Sequence, residues 1–134
     1  MAIIDYFDRG WSMNPQAIAY IQDEREFQFQ EVGELSCRIA NALLAAGCST
    51  GTKGAVWATN DVTAWTCTLG LWRANMTWIP VGAKNSAEEN QYVLDAFDCD
   101  VLFFQQYFSA VIAGLQAALP KIKRHSNFII RALN

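Results

Sequence analysis

Charge is scarce in this sequence. Asp, Glu, Lys and Arg make up 17% of its 134 residues, against roughly 25% in an average soluble protein. The few basic residues form no stripe, and the net charge is −3, so nucleic acid is excluded as the expected partner. Histidine is nearly missing, with His125 alone. Cys37, Cys48, Cys67 and Cys99 include no CxxC pair. That leaves no Cys/His zinc pattern, and the four read as reduced thiols packed as small apolar groups, as in cytoplasm. No uncharged apolar run reaches the roughly 18 residues of a membrane helix. The longest candidate, VLFFQQYFSAVIAGLQAAL, is broken by Gln105, Gln106 and Gln116. The opening MAIIDYFDRGW carries two Asp and no basic n-region, which excludes a signal peptide.

What the chain has instead is apolar bulk. Hydrophobic residues reach 52%, including five Trp, eight Phe and four Tyr. So much apolar bulk with so little charge implies an outer face meant to be covered, by another copy or by protein outside this chain. The length suits one domain with a real core.

The apolar residues are ordered in alternating patterns. Residues 17–22 and 26–30 flank the polar Asp23-Glu24-Arg25, and Phe27 and Phe29 alternate with polar neighbours, which predicts a half-buried hairpin. Val32, Leu35, Ile39 and Leu43 predict a helix over 31–46, ended by Gly47 in a left-handed cap. GAVWAT (54–59) predicts a buried strand. Asn60 or Asp61 can cap the next helix, 62–74. Asn75 then takes the position past the helix end, since asparagine tolerates positive φ best after glycine. Residues 77–81 predict a strand with Pro80 near its end, where a missing donor matters least. Ser86 and Glu89 have capping-box spacing at the start of a further helix. A strand over 100–105, a helix over 107–119 and a strand over 127–133 complete the pattern. The expected fold is α/β: an N-terminal β-hairpin followed by a three-layer, mostly parallel sheet with helices on both faces, in one domain spanning 1–134.

No catalytic constellation emerges. GCSTGTKG (47–54) imitates a phosphate loop, but its order is helix, loop, strand, and Thr52 stands where GxxxxGK[ST] needs lysine. The preceding helix would present carbonyls and its negative end to an anion. The expected reading is a tight connection with Lys53 in solvent. His125, in KIKRH, reads as part of a solvated connection. Glu88 and Glu89 suit the first turn of a helix, and Asp98 and Asp100 suit turn chemistry. The tryptophans read as core or interface more than as a pocket. Nothing assembles a nucleophile, a base and an oxyanion donor.

Taken in order, these stretches resemble the N-terminal part of the adenylate-forming ligase superfamily, over roughly 3–133. NPQAIAYIQDEREFQFQEVGELSCRIANALLAAG is similar to the family's opening hairpin and long helix. FQFQEV stands at its first core motif, of the L-T-Y-x-E-L kind. LWRANMTWIPVG stands at the second, R/K-A-G-A-x-Y-V-P, with Arg73, Ala74, Ile79 and Pro80 matching and Asn75 in place of glycine. Gly82-Ala83 departs from the usual Asn/Asp-Pro, so a differently shaped loop is expected there. NSAEENQYVLDAFDCDVLFF resembles the helix and strand that follow.

The resemblance implies the N-terminal segment of an acyl-CoA synthetase, one that activates a carboxylic acid, a fatty acid above all, with ATP and passes the acyl group to CoA with magnesium assisting. The family's phosphate loop, acidic motif, ribose-binding aspartate and C-terminal lysine fall beyond this segment. No catalytic, cofactor-binding or metal residue is therefore carried over, and the segment alone is expected to be an inactive scaffold, truncated naturally or cut from a longer chain. The expected partner is the remainder of the ligase or another copy, through an apolar face. The alternative is a small doubly wound nucleotide-binding module or a self-associating one.

Overall fold

A computed structural model describes residues 1–119 and 131–132. Five α-helices lie among the described residues. Helix α1 (Ile4–Met13) precedes an antiparallel hairpin, β1 (Ile18–Gln22) and β2 (Arg25–Gln28). Helix α2 (Phe29–Ala45), strand β3 (Lys53–Trp57), helix α3 (Val62–Arg73) and strand β4 (Thr77–Ile79) follow. Then come helix α4 (Ala87–Ala96), strand β5 (Val101–Gln105), a 3-10 turn (Gln106–Phe108), helix α5 (Ser109–Ala118) and strand β6 (Arg131–Ala132).

The four later strands form one parallel sheet in the order β4-β3-β5-β6, with Ala55 opposite both Ile79 and Leu102. Alternation across the pleat sorts its side chains into two cores. Ala55, Trp57, Ile79, Leu102 and Phe104 pack with Leu94 of α4 and with Ile112 and Leu115 of α5. Val56, Val101 and Phe103 pack on the other face, with Ala40 and Leu43 of α2 and Cys67 and Leu71 of α3. The expected three layers are thus present. The chain steps outward from β3 to β4 through α3, then back past β3 to β5 through α4. Direction and face reverse together, so both crossovers keep one hand.

Local chemistry sets the boundaries. Gly47 ends α2 at φ 88°, and Asn75 ends α3 at φ 59°. Asp61 caps α3 by accepting from the Ala64 N–H. At α4 the Ser86 hydroxyl accepts from the Glu89 N–H at 3.1 Å, and the Glu89 carboxylate accepts from the Ser86 N–H at 2.8 Å. In the loop that departs from the family motif, buried Asn90 donates to the Gly82 carbonyl at 2.8 Å and accepts from Asn85 at 3.1 Å. Those two bonds hold the Gly82–Asn85 loop against α4.

Four expectations need correction. No helix is expected before the hairpin, yet α1 is there, burying Ile4 and Phe7 in a third cluster with Phe27, Val32, Val62 and Leu69. Phe29 and Gln30 belong to α2, not to the strand. Strand β4 ends at Ile79, so Pro80 lies beyond it. The helix expected over 107–119 starts at Ser109, after the 3-10 turn. Of the last expected strand, Arg131–Ala132 are described; the KIKRH run with His125 lies outside the described residues.

The helices cross closely on the α2/α3 side. A Cβ on Gly70 would stand 2.4 Å from Ile39 Cγ2, so only glycine lets the two helices approach this far. Helix α1 is fixed to both through Arg73. Its guanidinium donates to both Asp8 oxygens at 2.9 and 2.6 Å and to Ser36 Oγ at 3.1 Å. The hydrogen bond to Asp8 is the main cause raising the Arg73 pKa, so the charge is held firmly.

Candidate functional site

In parallel sheets, ligands bind at the carboxyl ends of the strands, where crossovers depart in opposite directions. Here that point lies between β3 and β5. It is bridged. Gln105, at the end of β5, accepts through Oε1 from the Thr59 N–H at 2.9 Å and from the Thr59 hydroxyl at 3.1 Å.

The start of α3 at the same rim is also occupied. Asp61 Oδ1 accepts from the Ala64 N–H at 2.9 Å, and Oδ2 accepts from the Gln22 side chain at 3.0 Å. Gln22 Oε1 in turn accepts from the Val62 N–H at 2.7 Å. A hairpin glutamine and a carboxylate therefore fill the space that a phosphate would take at a helix N-terminus. Sequence reasoning found Asp61 by its capping position and missed Gln22, whose spacing carries no signal.

Two grooves flank this rim. One, about 450 Å³, runs between the hairpin and α3 and is lined by Tyr20, Ile21, Gln22, Asn60, Asp61, Val62 and Trp65. The other, about 350 Å³, lies between α3 and the ends of β3 and β4, with Val56, Ala64, Thr68, Trp65, Trp78 and Val81 among its lining residues. Trp72 stands between the two wall tryptophans. Its ring meets Trp65 at 5.6 Å and Trp78 at 5.8 Å, edge to face at 89° in both pairs. Trp65 also donates from Nε1 to the Tyr20 hydroxyl at 2.8 Å. Trp65 and Trp72 are seven residues apart on one helix face, a spacing that the sequence displayed without naming Trp78 as their neighbour.

The residues singled out from sequence lie elsewhere. The 47–54 loop leads into β3, at the opposite end of the sheet. Its donors are engaged: the Ser49 N–H with Thr52 Oγ1 at 3.1 Å, the Thr52 N–H with the Ser49 carbonyl at 3.0 Å, and the Lys53 N–H with Asp100 Oδ2 at 2.9 Å. The Asp100 carboxylate beside it would repel an anion. Glu88 and Glu89 occupy the first turn of α4. Asp98 has positive φ in the turn before β5. Burial, and secondarily Asp100, raises the Cys48 thiol pKa. Burial, and secondarily Asp61, pushes Cys67 up to about 12. All four thiols are unbridged. Among the described residues no group of three His, Cys, Asp or Glu could hold a metal, and no helix is long and apolar enough to cross a membrane.

The model of the AMP-binding enzyme family matches residues 7–132. The chain belongs to that family. Similar AMP-binding sequences include a plipastatin synthase polypeptide of Bacillus subtilis (strain 168), 25% identical over 92 residues, which cover 69% of this chain and 3% of that protein. A hybrid PKS-NRPS synthetase, phm1, from Pyrenochaetopsis sp is 28% identical over 101 residues, covering 73% and 2%. Among solved structures, the anthranilate CoA ligase AuaEII in complex with anthranoyl-AMP superposes with a TM-score of 0.84 at 20% identity, covering 90% of this chain and 23% of that one. The chain thus spans about a quarter of that ligase and a few per cent of the two synthetases. The motif residues Arg73 and Asn75 act within it as a helix clamp and a helix stop.

Proposed function

We propose that this chain is the N-terminal segment of an acyl-CoA synthetase that activates a carboxylic acid, with fatty acids as the first class to test. The whole enzyme would form an acyl-adenylate from ATP and the acid, then transfer the acyl group to the CoA thiol. Residues 1–134 would be one α/β unit of it, supplying scaffold and carrying out no step alone. Four unbridged thiols favour a cytoplasmic protein.

The observation that carries this reading is the rim of the sheet. The two places where an α/β unit would take a nucleotide are occupied by Gln105 and by Asp61 with Gln22. The donor set does not fit magnesium either, since no cluster of carboxylates forms among the described residues. ATP, magnesium and CoA are therefore assigned to the remainder of the ligase. The segment's contacts would be with that remainder, through apolar surface such as Tyr6, Met13, Ile21 and Phe97.

The test is ATP–pyrophosphate exchange by the purified chain with a panel of fatty and aryl acids. No exchange is expected, and exchange above background with any acid would overturn the scaffold reading. The coding sequence downstream of Asn134 tests the parentage: an in-frame T-S-G-T-T-G-like loop within a few tens of codons is expected. The similarity to peptide synthetases favours a second reading, an adenylation module that delivers its acyl group to a carrier-protein thiol. Acyl transfer by the full-length protein to free CoA, or to a carrier domain instead, separates the two.

A further inference from the structure

The groove between α3 and the ends of β3 and β4 has a polar group that nothing satisfies. Thr68 is 3% exposed and lines the groove. Its hydroxyl has no hydrogen-bond partner among the described residues, unlike that of Thr66 two residues earlier, which donates to the Val62 carbonyl at 2.7 Å. Buried polar groups are nearly always hydrogen-bonded, and exceptions in a folded protein point to a missing partner. The helix offers Thr68 the same back-bond that Thr66 makes, yet the hydroxyl does not take it.

We propose that this groove is a binding site for a small, uncharged, planar aromatic molecule carrying one hydrogen-bonding group. The walls define the class. Trp65 and Trp78 are 37% and 36% exposed, so each keeps ring surface available for stacking. Trp72 holds both edge to face, and Tyr20 fixes Trp65 by its Nε1, so the walls are set before a ligand arrives. Val56, Ala58, Ala64 and Val81 supply apolar lining. Among the described residues no lysine or arginine lines the groove, and the Asp61 carboxylate at its mouth is already paired. An anion would lose its hydration without gaining a counter-charge. At about 350 Å³ the site is at the small end of ligand pockets, which run about 300–1,000 Å³. The Thr68 hydroxyl, able to donate or accept, would fix the ligand's orientation. This inference is independent of the ligase reading: a segment that activates no acid could still hold such a molecule.

Phenol, toluene and benzoate test it, titrated into the ¹⁵N-labelled 134-residue chain. Phenol is expected to move the Thr68 amide and the Trp65 and Trp78 indole N–H signals saturably, and benzoate to leave them in place. Thr68→Val keeps the shape and removes the hydroxyl. It should weaken phenol about fivefold, the effect of one ordinary hydrogen bond, and leave toluene no weaker than in the wild type. The variant should also melt at or above the wild-type temperature, because it removes an unpartnered group. Equal phenol affinity in wild type and variant would overturn the proposal, as would benzoate binding with the strength of phenol. A lower melting temperature for Thr68→Val would overturn it too, since the hydroxyl would then have a partner in the free chain. So would movement of the same signals on dilution without any probe, which would assign the groove to a second copy.

Discussion

At the residue scale, sign of φ and burial decide most of what can change. Asn75 sits at φ 59°, and its side chain reaches Thr50 Oγ1. Alanine there must adopt a left-handed backbone at a cost of about 1–2 kcal/mol. Asn75→Ala is therefore expected to lower stability by that amount in urea unfolding, with Asn75→Gly within about 0.5 kcal/mol of wild type. Cys67 makes a pH prediction. Its thiol ionises near 9.0 when unfolded and near 12 in the fold, mainly because burial disfavours the thiolate. Between those values the unfolded chain has released a proton that the folded chain retains, so stability falls as pH rises. The contribution is complete below pH 9 and is lost progressively toward pH 12. Cys67→Ala should flatten that part of the stability–pH curve, and a curve unchanged by the substitution would contradict the assignment.

At the scale of elements, the α2/α3 crossing is the most sharply determined contact. The 2.4 Å separation between a Gly70 Cβ and Ile39 leaves no room for a methyl group. Gly70→Ala gains about 1 kcal/mol of helix propensity but overpacks a buried crossing, which costs about 1–3 kcal/mol. Net destabilisation is expected by thermal unfolding, and Ile39→Ala in the same chain should recover part of it; simple additivity of the two losses would exclude the clash. The same scale explains why α1 was not legible. Ile4, Phe7 and Trp11 have helical spacing, but the stripe is short. The groups that hold it, Phe29, Gln30 and Arg73, all lie on later elements. The other helices have longer stripes or marked caps within their own sequence.

At the scale of the whole molecule, apolar surface outnumbers what one core can bury. Tyr6, Met13, Ile18, Ile21, Trp78, Tyr92, Phe97 and Tyr107 remain exposed around three packed clusters. A chain with the charge of this one has little repulsion to keep such surfaces apart. Its apparent mass by light scattering is expected to rise with concentration. A monomer at all concentrations would mean that these side chains are too dispersed to act as one patch. The low charge fraction anticipated this surface; the sequence could not say that the aromatic part of it gathers at the ends of β3 and β4, because Trp78 joins Trp65 and Trp72 only through the strand pairing.

What the sequence by itself determined is the succession of elements and their stops. Gly47, Asn75 and the Ser86–Glu89 box act within one helical turn, so each is complete in a few adjacent residues. What only the tertiary structure decided is which polar groups meet. Gln22 reaches Asp61 across 39 residues, Gln105 reaches Thr59 across 46, and Asp8 reaches Arg73 across 65. A glutamine or aspartate has no periodicity to announce its partner. Its pairing follows from strand order and helix approach, and those are settled only when the apolar faces of distant elements are buried together.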